Sequence, residues 1–378
     1  MDISTICVHG CEKKFDTTGA VAVPIFASAT FAHPGVGQST GFDYSRSLNP
    51  TAVHLEDTIA ALEGGSQAVA FSSGMAAVSA LMELFSPGDH IIASDDLYGG
   101  TFRLFSHISQ KNGVKFSYAA ALKDLEKEIT ASTKAVFIET PSNPMMRVTD
   151  IAAAAAITKK NNALLIVDNT FLTPYFQQPF SLGADVVLHS GTKYLGGHND
   201  TLAGLLVVKD LSLSEKLRFI AKTTGGCLSP FDSFLIIRGI KTLAIRMERQ
   251  QETALKIAHW LMEQNEVKKV HYPGLKDHPD YEISGRQTSG FGGMLSFSVR
   301  SGQTASKILE SVKIIKYAES LGGVESLITY PVLQTHADIP ERERNARGID
   351  DCLLRLSVGL EASDDLIADL NQALKSSV

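Results

Sequence analysis

The stretch Ala184-Asp-Val-Val-Leu-His-Ser-Gly-Thr-Lys-Tyr-Leu-Gly-Gly197 decides how the chain is read. An apolar, Val-rich run ends in two small hydroxyl residues, Ser190 and Thr192, and then a single lysine, Lys193. Such a run is the pattern of a buried strand in a parallel sheet, and open α/β sheets bind ligands just past the carboxyl ends of their strands. A lysine at that place is partly desolvated, which disfavours its ammonium and frees its amine to attack a carbonyl and form a Schiff base. Ser190 and Thr192 can hold a phosphate beside it. An imine-forming lysine next to a phosphate cup suggests pyridoxal phosphate.

Blander and rival readings compete with this one. A lone lysine after a strand is usually a solvated surface residue. Ser190-x-x-Lys193 also fits an acyl-enzyme pattern, but the Ser-Asp-Asn and Lys-Thr-Gly partners of that pattern do not occur. Gly35-x-Gly37 hints at a nucleotide loop, yet no strand precedes it.

Outward from Lys193, strand-like runs alternate with helical ones. Val69–Phe71 leads into Ser72-Ser-Gly-Met75, a small-residue turn that delivers backbone amides to an anion at a helix start; Val78, Leu81, Met82 and Phe85 then form an apolar stripe. His90–Ala93, Lys134–Ile138, Ala163–Val167 and Leu202–Val208 read as further strands. The alternation implies right-handed crossovers and a mostly parallel sheet. Each run places its polar residues just beyond its end, and Asp168 is the sharpest case. It either caps the next turn or pairs with a protonated pyridine nitrogen. One βαβ unit separates it from Lys193, so both can reach the same sheet edge.

Residues 1–50 read as an irregular arm carrying Tyr44 and Arg46, either a solvated lead-in or a reach into a neighbouring subunit. Asn49-Pro50 has the form of a cap and first turn, followed by Leu55, Ile59 and Leu62 at helical spacing. Lys241–Glu263 reads as a long helix linking two domains. This divides the chain into the arm (1–50), a cofactor-binding α/β domain (51–245) and a smaller α+β domain (246–378), with strands at Val267–Tyr272, Gly293–Val299 and Leu353–Val358. Ser363 is the expected cap of a last helix whose first turn carries Asp364 and Asp365. Arg355 inside an apolar strand wants a carboxylate, either an internal partner or an amino-acid substrate. Glu341-Arg-Glu-Arg344 reads as a solvated face.

Composition narrows the function classes. The 378 residues are 44% apolar and 20% charged, enough for two domains at roughly 100–200 residues each. A net charge of −6 gives no basic footprint for nucleic acid. No apolar run approaches the ~20 residues of a membrane helix, and Met1-Asp-Ile-Ser lacks a signal-peptide pattern, so a cytoplasmic protein is expected. Cys7, Cys11, Cys227 and Cys352 are scattered; Cys7 and Cys11 can share a helix face, but no second pair completes a metal site, and all are read as reduced thiols.

In order along the chain stand Tyr44-Ser-Arg46, Ser72-Ser-Gly-Met75, Leu97-Tyr-Gly-Gly-Thr101, Glu139-Thr-Pro-Ser-Asn-Pro144, Val167-Asp-Asn-Thr170, His189-Ser-Gly-Thr-Lys-Tyr194 and Leu354-Arg-Leu-Ser-Val-Gly359. Together they resemble the Cys/Met-metabolism family of pyridoxal-phosphate enzymes across essentially the whole chain. The resemblance implies fold type I, the aspartate-aminotransferase-like architecture, in a homotetramer built as a dimer of dimers. It implies that Lys193 holds the cofactor and shuttles protons, Asp168 meets the pyridine nitrogen, with Thr170 beside it, and Tyr98 stacks on the ring. Gly74, Met75, Ser190 and Thr192 would bind the phosphate, with Tyr44 and Arg46 supplied by a neighbouring subunit. Arg355, Ser326 and Asn143 would hold a substrate α-carboxylate, and Arg103 its distal end.

Within the family, the acidic pair Asp43 and Glu325 resembles that of γ-synthases. Gly37–Asp43 and Ile328–Asp338 look most like the bacillary cystathionine γ-synthase/O-acetylhomoserine thiol-lyase branch. Gly100 stands where methionine γ-lyases have cysteine, and Ala52 departs from the family's usual arginine. The implied activity is γ-replacement on an O-acylhomoserine with cysteine or another thiol. The alternatives are γ- or β-elimination from cystathionine, and, in a different class, a non-catalytic pyridoxal-phosphate-binding protein.

Overall fold

Every strand-like run named above becomes a strand in the computed structural model, which describes residues 1–10 and 19–376. Cys11, and with it the Cys7–Cys11 helix face, lies outside the described residues; Cys7 is buried in the short helix Ile3–His9. The first sheet holds β1 (Gln67–Phe71), β2 (His90–Ser94), β3 (Lys115–Ala119), β4 (Thr133–Glu139), β5 (Leu164–Asp168), β6 (Val186–Ser190) and β7 (Gly204–Val208). Their spatial order is β1-β7-β6-β5-β4-β2-β3. Only the pairings of β7 are antiparallel, so the expected mostly parallel sheet is the one observed. The central strands are buried on both faces, as their unbroken Val, Ile and Leu runs require. Register sets Glu139 beside Asp168, and Asp168 beside Leu188, so the carboxyl ends of β4, β5 and β6 meet at one edge.

The second sheet is β8 (Val267–His271), β9 (Met294–Val299), β10 (Lys316–Tyr317), β11 (Leu327–Thr329) and β12 (Leu353–Ser357), in the order β10-β11-β12-β9-β8. It is antiparallel except where β10 joins β11. The helix Leu243–Met262 connects the two halves: Leu243 and Met247 pack in the core of the first sheet, and Ala254, Ile257, Ala258 and Leu261 in that of the second.

Caps follow the sequence with one exception. Asn49 accepts the Thr51 amide at 3.0 Å ahead of helix Pro50–Glu63, which buries Leu55, Ile59 and Leu62. Ser363, expected as a cap, is instead the first residue of helix Ser363–Ser376, and its hydroxyl accepts from Lys256 at 2.9 Å. Helix Gly74–Met82 ends before Phe85, which packs half-buried on the same core. The Glu341–Arg347 helix buries no residue, as a solvated charge run should. Among the described residues no helix is long and apolar enough to cross a membrane.

Arg246 ties the two halves at the Lys193 loop. It is 2% exposed and donates to the carbonyls of Tyr194 and Gly239, both at 2.7 Å, and to Thr242 Oγ1 at 3.1 Å. Replacing it strands two buried carbonyls. Arg246→Ala is expected to cost about 3 kcal/mol, at about 1.5 kcal/mol for each of the two buried carbonyls stranded. A thermal unfolding scan should show the midpoint lowered by several degrees; an unchanged midpoint would contradict the clamp.

Candidate active site

A cavity of about 330 Å³ opens at the sheet edge where Asp168, Ser190 and Lys193 emerge, closed on its far side by Arg355 of the second sheet. Lys193 Nζ donates to Ser320 Oγ at 2.7 Å. Burial first, then the Arg355 charge, lower this ammonium to about 8, against a weaker pull from Glu319. Roughly a tenth of the amine is therefore free at pH 7, far more than for an ordinary lysine, and nucleophilic attack on a carbonyl needs that free form. The solvated-surface reading of Lys193 fails on this burial.

Arg355 is 1% exposed. Its Nη1 donates to Asn143 Oδ1 at 2.8 Å, and Nη2 to the Ser320 carbonyl at 2.9 Å and Thr329 Oγ1 at 3.0 Å; Nε has no partner. Burial lowers the guanidinium to about 10, with Glu139 the largest opposing charge. No ion pair reaches it among the described residues, so the internal salt bridge weighed from the sequence is absent. A buried guanidinium with an idle N–H has the geometry to receive a carboxylate. Asn143 orients it, and His336, buried and lowered to about 4, bonds the Asn143 carbonyl at 3.0 Å.

Asp168 accepts the Thr170 amide at 3.0 Å and the Thr170 hydroxyl at 2.5 Å. Opposite Lys193, helix Gly74–Met82 starts with Ser73 as its cap, and its first amides lack intrahelical acceptors. A Cβ at Gly74 would come within 3.2 Å of Ser190, so glycine keeps this anion cradle open. Ser190 Oγ carries no bond among the described residues, whereas Thr192 Oγ1 is engaged with Ala203. Tyr98 is 40% exposed at the cavity wall, and a side chain at Gly100 would meet its ring at 2.5 Å.

Gly74, Met75, Tyr98, Asn143, Asp168, Thr170, Ser190, Thr192, Lys193 and Arg355 thus share one cavity. Ser326, Glu325, Arg103 and Asp43, also expected at the site, do not line it, and Tyr44 and Arg46 are expected there only from a neighbouring subunit. Ser326 is fully buried, and its hydroxyl donates to Glu361 Oε2 at 2.8 Å. Its place is taken by Ser320, which adopts φ 85 and touches both Lys193 and Arg355. Glu325 is exposed and accepts from Asn199 at 2.8 Å, while Glu319 stands at the cavity wall. The sequence repeats Glu-Ser-Leu at 319–321 and 325–327, and only the first copy precedes the Gly322-Gly323 turn. Arg103 is exposed and ion-paired to Asp338, outside the cavity. Tyr44, Arg46 and Asp43 are on the arm: Arg46 donates to the Lys222 carbonyl and lies over the Tyr44 ring at 5.6 Å, and Asp43 accepts from Ser39. None of the three lines this chain's cavity.

These features define a pyridoxal-phosphate-dependent enzyme of fold type I. The family model for Cys/Met metabolism PLP-dependent enzymes matches residues 4–375, and the chain belongs to that family. It is 47% identical to the cystathionine γ-lyase of Bacillus subtilis over the full length of both chains. It is 51% identical to the cystathionine γ-synthase/O-acetylhomoserine (thiol)-lyase of the same organism, covering 96% of this chain and 94% of that one. The crystal structure of cystathionine γ-lyase from Lactobacillus plantarum complexed with L-serine superposes with a TM-score of 0.97 at 45% identity, covering 100% of this chain and 99% of that one. The non-catalytic alternative is thereby set aside, and the cofactor fits an open phosphate cradle, a depressed lysine and a buried acid.

The covalent assignment can be checked by pH and by position. Attachment of pyridoxal phosphate to apoprotein should accelerate as pH rises through about 8, where Lys193 loses its proton, instead of near 10.5. Borohydride reduction and peptide mapping should place the cofactor on Lys193. Labelling of another lysine would contradict the assignment.

Proposed function

We propose that the chain catalyses γ-replacement: an O-acylhomoserine loses its acyl group from Cγ, and cysteine or another thiol takes its place, giving cystathionine or homocysteine. The supporting observation is that two depressions meet at Glu319–Ser320. The inner one holds Lys193 and Arg355. The outer one, about 1030 Å³, carries Glu319, Glu325, Asp200 and Asp232 against Lys316 and His198. An acidic outer basin suits the ammonium of a second amino acid.

The bound cofactor supplies an electron sink for negative charge at Cα. The chain's residues do the rest. Arg355 grips the α-carboxylate, and Asn143 fixes its orientation. Lys193 Nζ and Arg355 both touch Ser320, so a substrate held on Arg355 brings its Cα and Cβ protons within reach of the amine. With its proton affinity near neutrality, Lys193 can both take and return a proton. Glu319 and Glu325 draw in the thiol-bearing amino acid; a unit pair at about 4 Å is worth on the order of 4 kcal/mol at an effective dielectric near 20, less the desolvation of both partners.

We infer that the site is completed by a second copy of the chain, within a dimer of dimers. Among the described residues the phosphate end offers amides and hydroxyls but no cation, and Arg46 sits with Tyr44 on an arm whose Val21 and Val36 are fully exposed. A phosphate dianion calls for such an arginine. Arg46→Ala and Lys193→Ala should each be nearly inactive, and co-refolded mixtures should regain part of the activity. No recovery in heteromers shown to contain both variants would count against the shared site.

Product analysis tests the reaction itself. O-acetylhomoserine with cysteine should give cystathionine faster than cystathionine alone gives pyruvate or 2-oxobutyrate. Glu319→Gln should raise the KM for cysteine about three- to fivefold, the scale of an exposed ion pair, and spare that for the ester. Rapid cleavage of cystathionine with no replacement product would establish elimination instead.

A further inference from the structure

We propose that Glu139 is a positioning residue acting as an uncharged acid: it anchors the Tyr98 wall of the cavity and leaves the charge of the adjacent Glu139–Asp168 pair on Asp168. The inference rests on the cofactor site and not on the sulfur chemistry, so an elimination product would leave it standing.

Glu139 ends β4 directly beside Asp168 of β5, and both side chains line the cavity. It is 6% exposed, and among the described residues no lysine or arginine forms an ion pair with it. Its Oε2 accepts the Tyr98 amide at 2.9 Å, at the start of the helix Gly99–Leu104. The charged groups facing it are Asp168 on β5, Asp96 after β2 and Arg355 on β12. Two adjacent buried carboxyls resist ionising together, because each charge is unscreened and desolvated. The proton goes to the partner with the poorer anion support. Burial raises Asp168 too, but the two bonds it accepts from Thr170, and then His189, work against that rise. Glu139 accepts one amide. Burial first, then the Asp168 charge, push Glu139 well above the usual carboxylate range, against the Tyr98 amide and Arg355. With one amide against the two Thr170 bonds of its neighbour, Glu139 holds the proton of the pair, and the anion remains on Asp168 for the pyridine nitrogen.

The anchoring role and the charge state have separate readouts. In apoprotein at neutral pH, the infrared difference between wild type and Glu139→Gln should show loss of a protonated carboxyl band; loss of carboxylate bands would overturn the proposal. By absorbance titration, Glu139→Gln should keep pyridoxal-phosphate affinity within about twofold, while Glu139→Ala weakens it about three- to tenfold, the loss of one hydrogen bond. A Gln variant as weak as Ala would contradict the neutral state. In Asp168→Asn apoprotein, where the neighbouring charge is gone, the protonated band should titrate away at lower pH than in wild type. An unmoved titration would refute the coupling even if the Glu139 variants fail to fold.

Discussion

A lysine and an arginine share one small cavity, and among the described residues neither forms an ion pair, although Glu319 and Glu139 act on them from the cavity wall. This pair of cations without salt bridges organises the molecule. Burial disfavours both charges, so the Lys193 amine is partly free and Arg355 keeps an N–H without a partner. The surrounding structure compensates with neutral acceptors, namely the Asn143 side chain, the Ser320 carbonyl and the Thr329 hydroxyl. In the proposed reaction, anions from outside would complete the arrangement, a cofactor phosphate at the helix start and a substrate carboxylate at Arg355.

Two sheets have to cooperate for this to happen. Lys193 leaves the parallel sheet at the end of β6, and Arg355 comes from the middle of β12. Their common neighbour, Ser320, lies on the loop between β10 and β11 and adopts a left-handed φ that a side-chain-bearing residue rarely takes. Backbone strain of this kind persists where the surroundings hold it, and here they hold it between the two cations. Arg246 fixes the other side of the Lys193 loop to the long helix. The geometry of the amine thus depends on contacts from both halves of the chain.

Much of this was legible in the sequence, because the buried parallel strands are continuous apolar runs and their ends carry the polar residues. Lys193, Asp168 and Arg355 could each be picked out by being polar where apolar neighbours predict burial. What escaped has physical reasons. β3 is a half-exposed edge strand, and β10 and β11 are two and three residues long, too short for a period to show. Ser326 and Glu325 stand among the residues expected at the site, whereas Ser320 and Glu319 do not; the same tripeptide occurs twice, and only the turn at Gly322 decides which copy faces the cavity. Arg103 read as a substrate ligand, but Asp338, far away in sequence, pairs with it at the surface. Glu139 was seen as part of a motif; its meaning depends on register with Asp168, which a single strand's sequence does not contain.

The claim that the cavity is an incomplete charge arrangement awaiting an α-carboxylate is tested most directly by a crystal structure of the holoprotein with an unreactive amino-acid analogue. The account predicts a carboxylate oxygen within hydrogen-bond distance of Arg355 Nε, with Asn143 still on Nη1. A carboxylate seated at Arg103, or one that leaves Arg355 Nε unengaged, would contradict it.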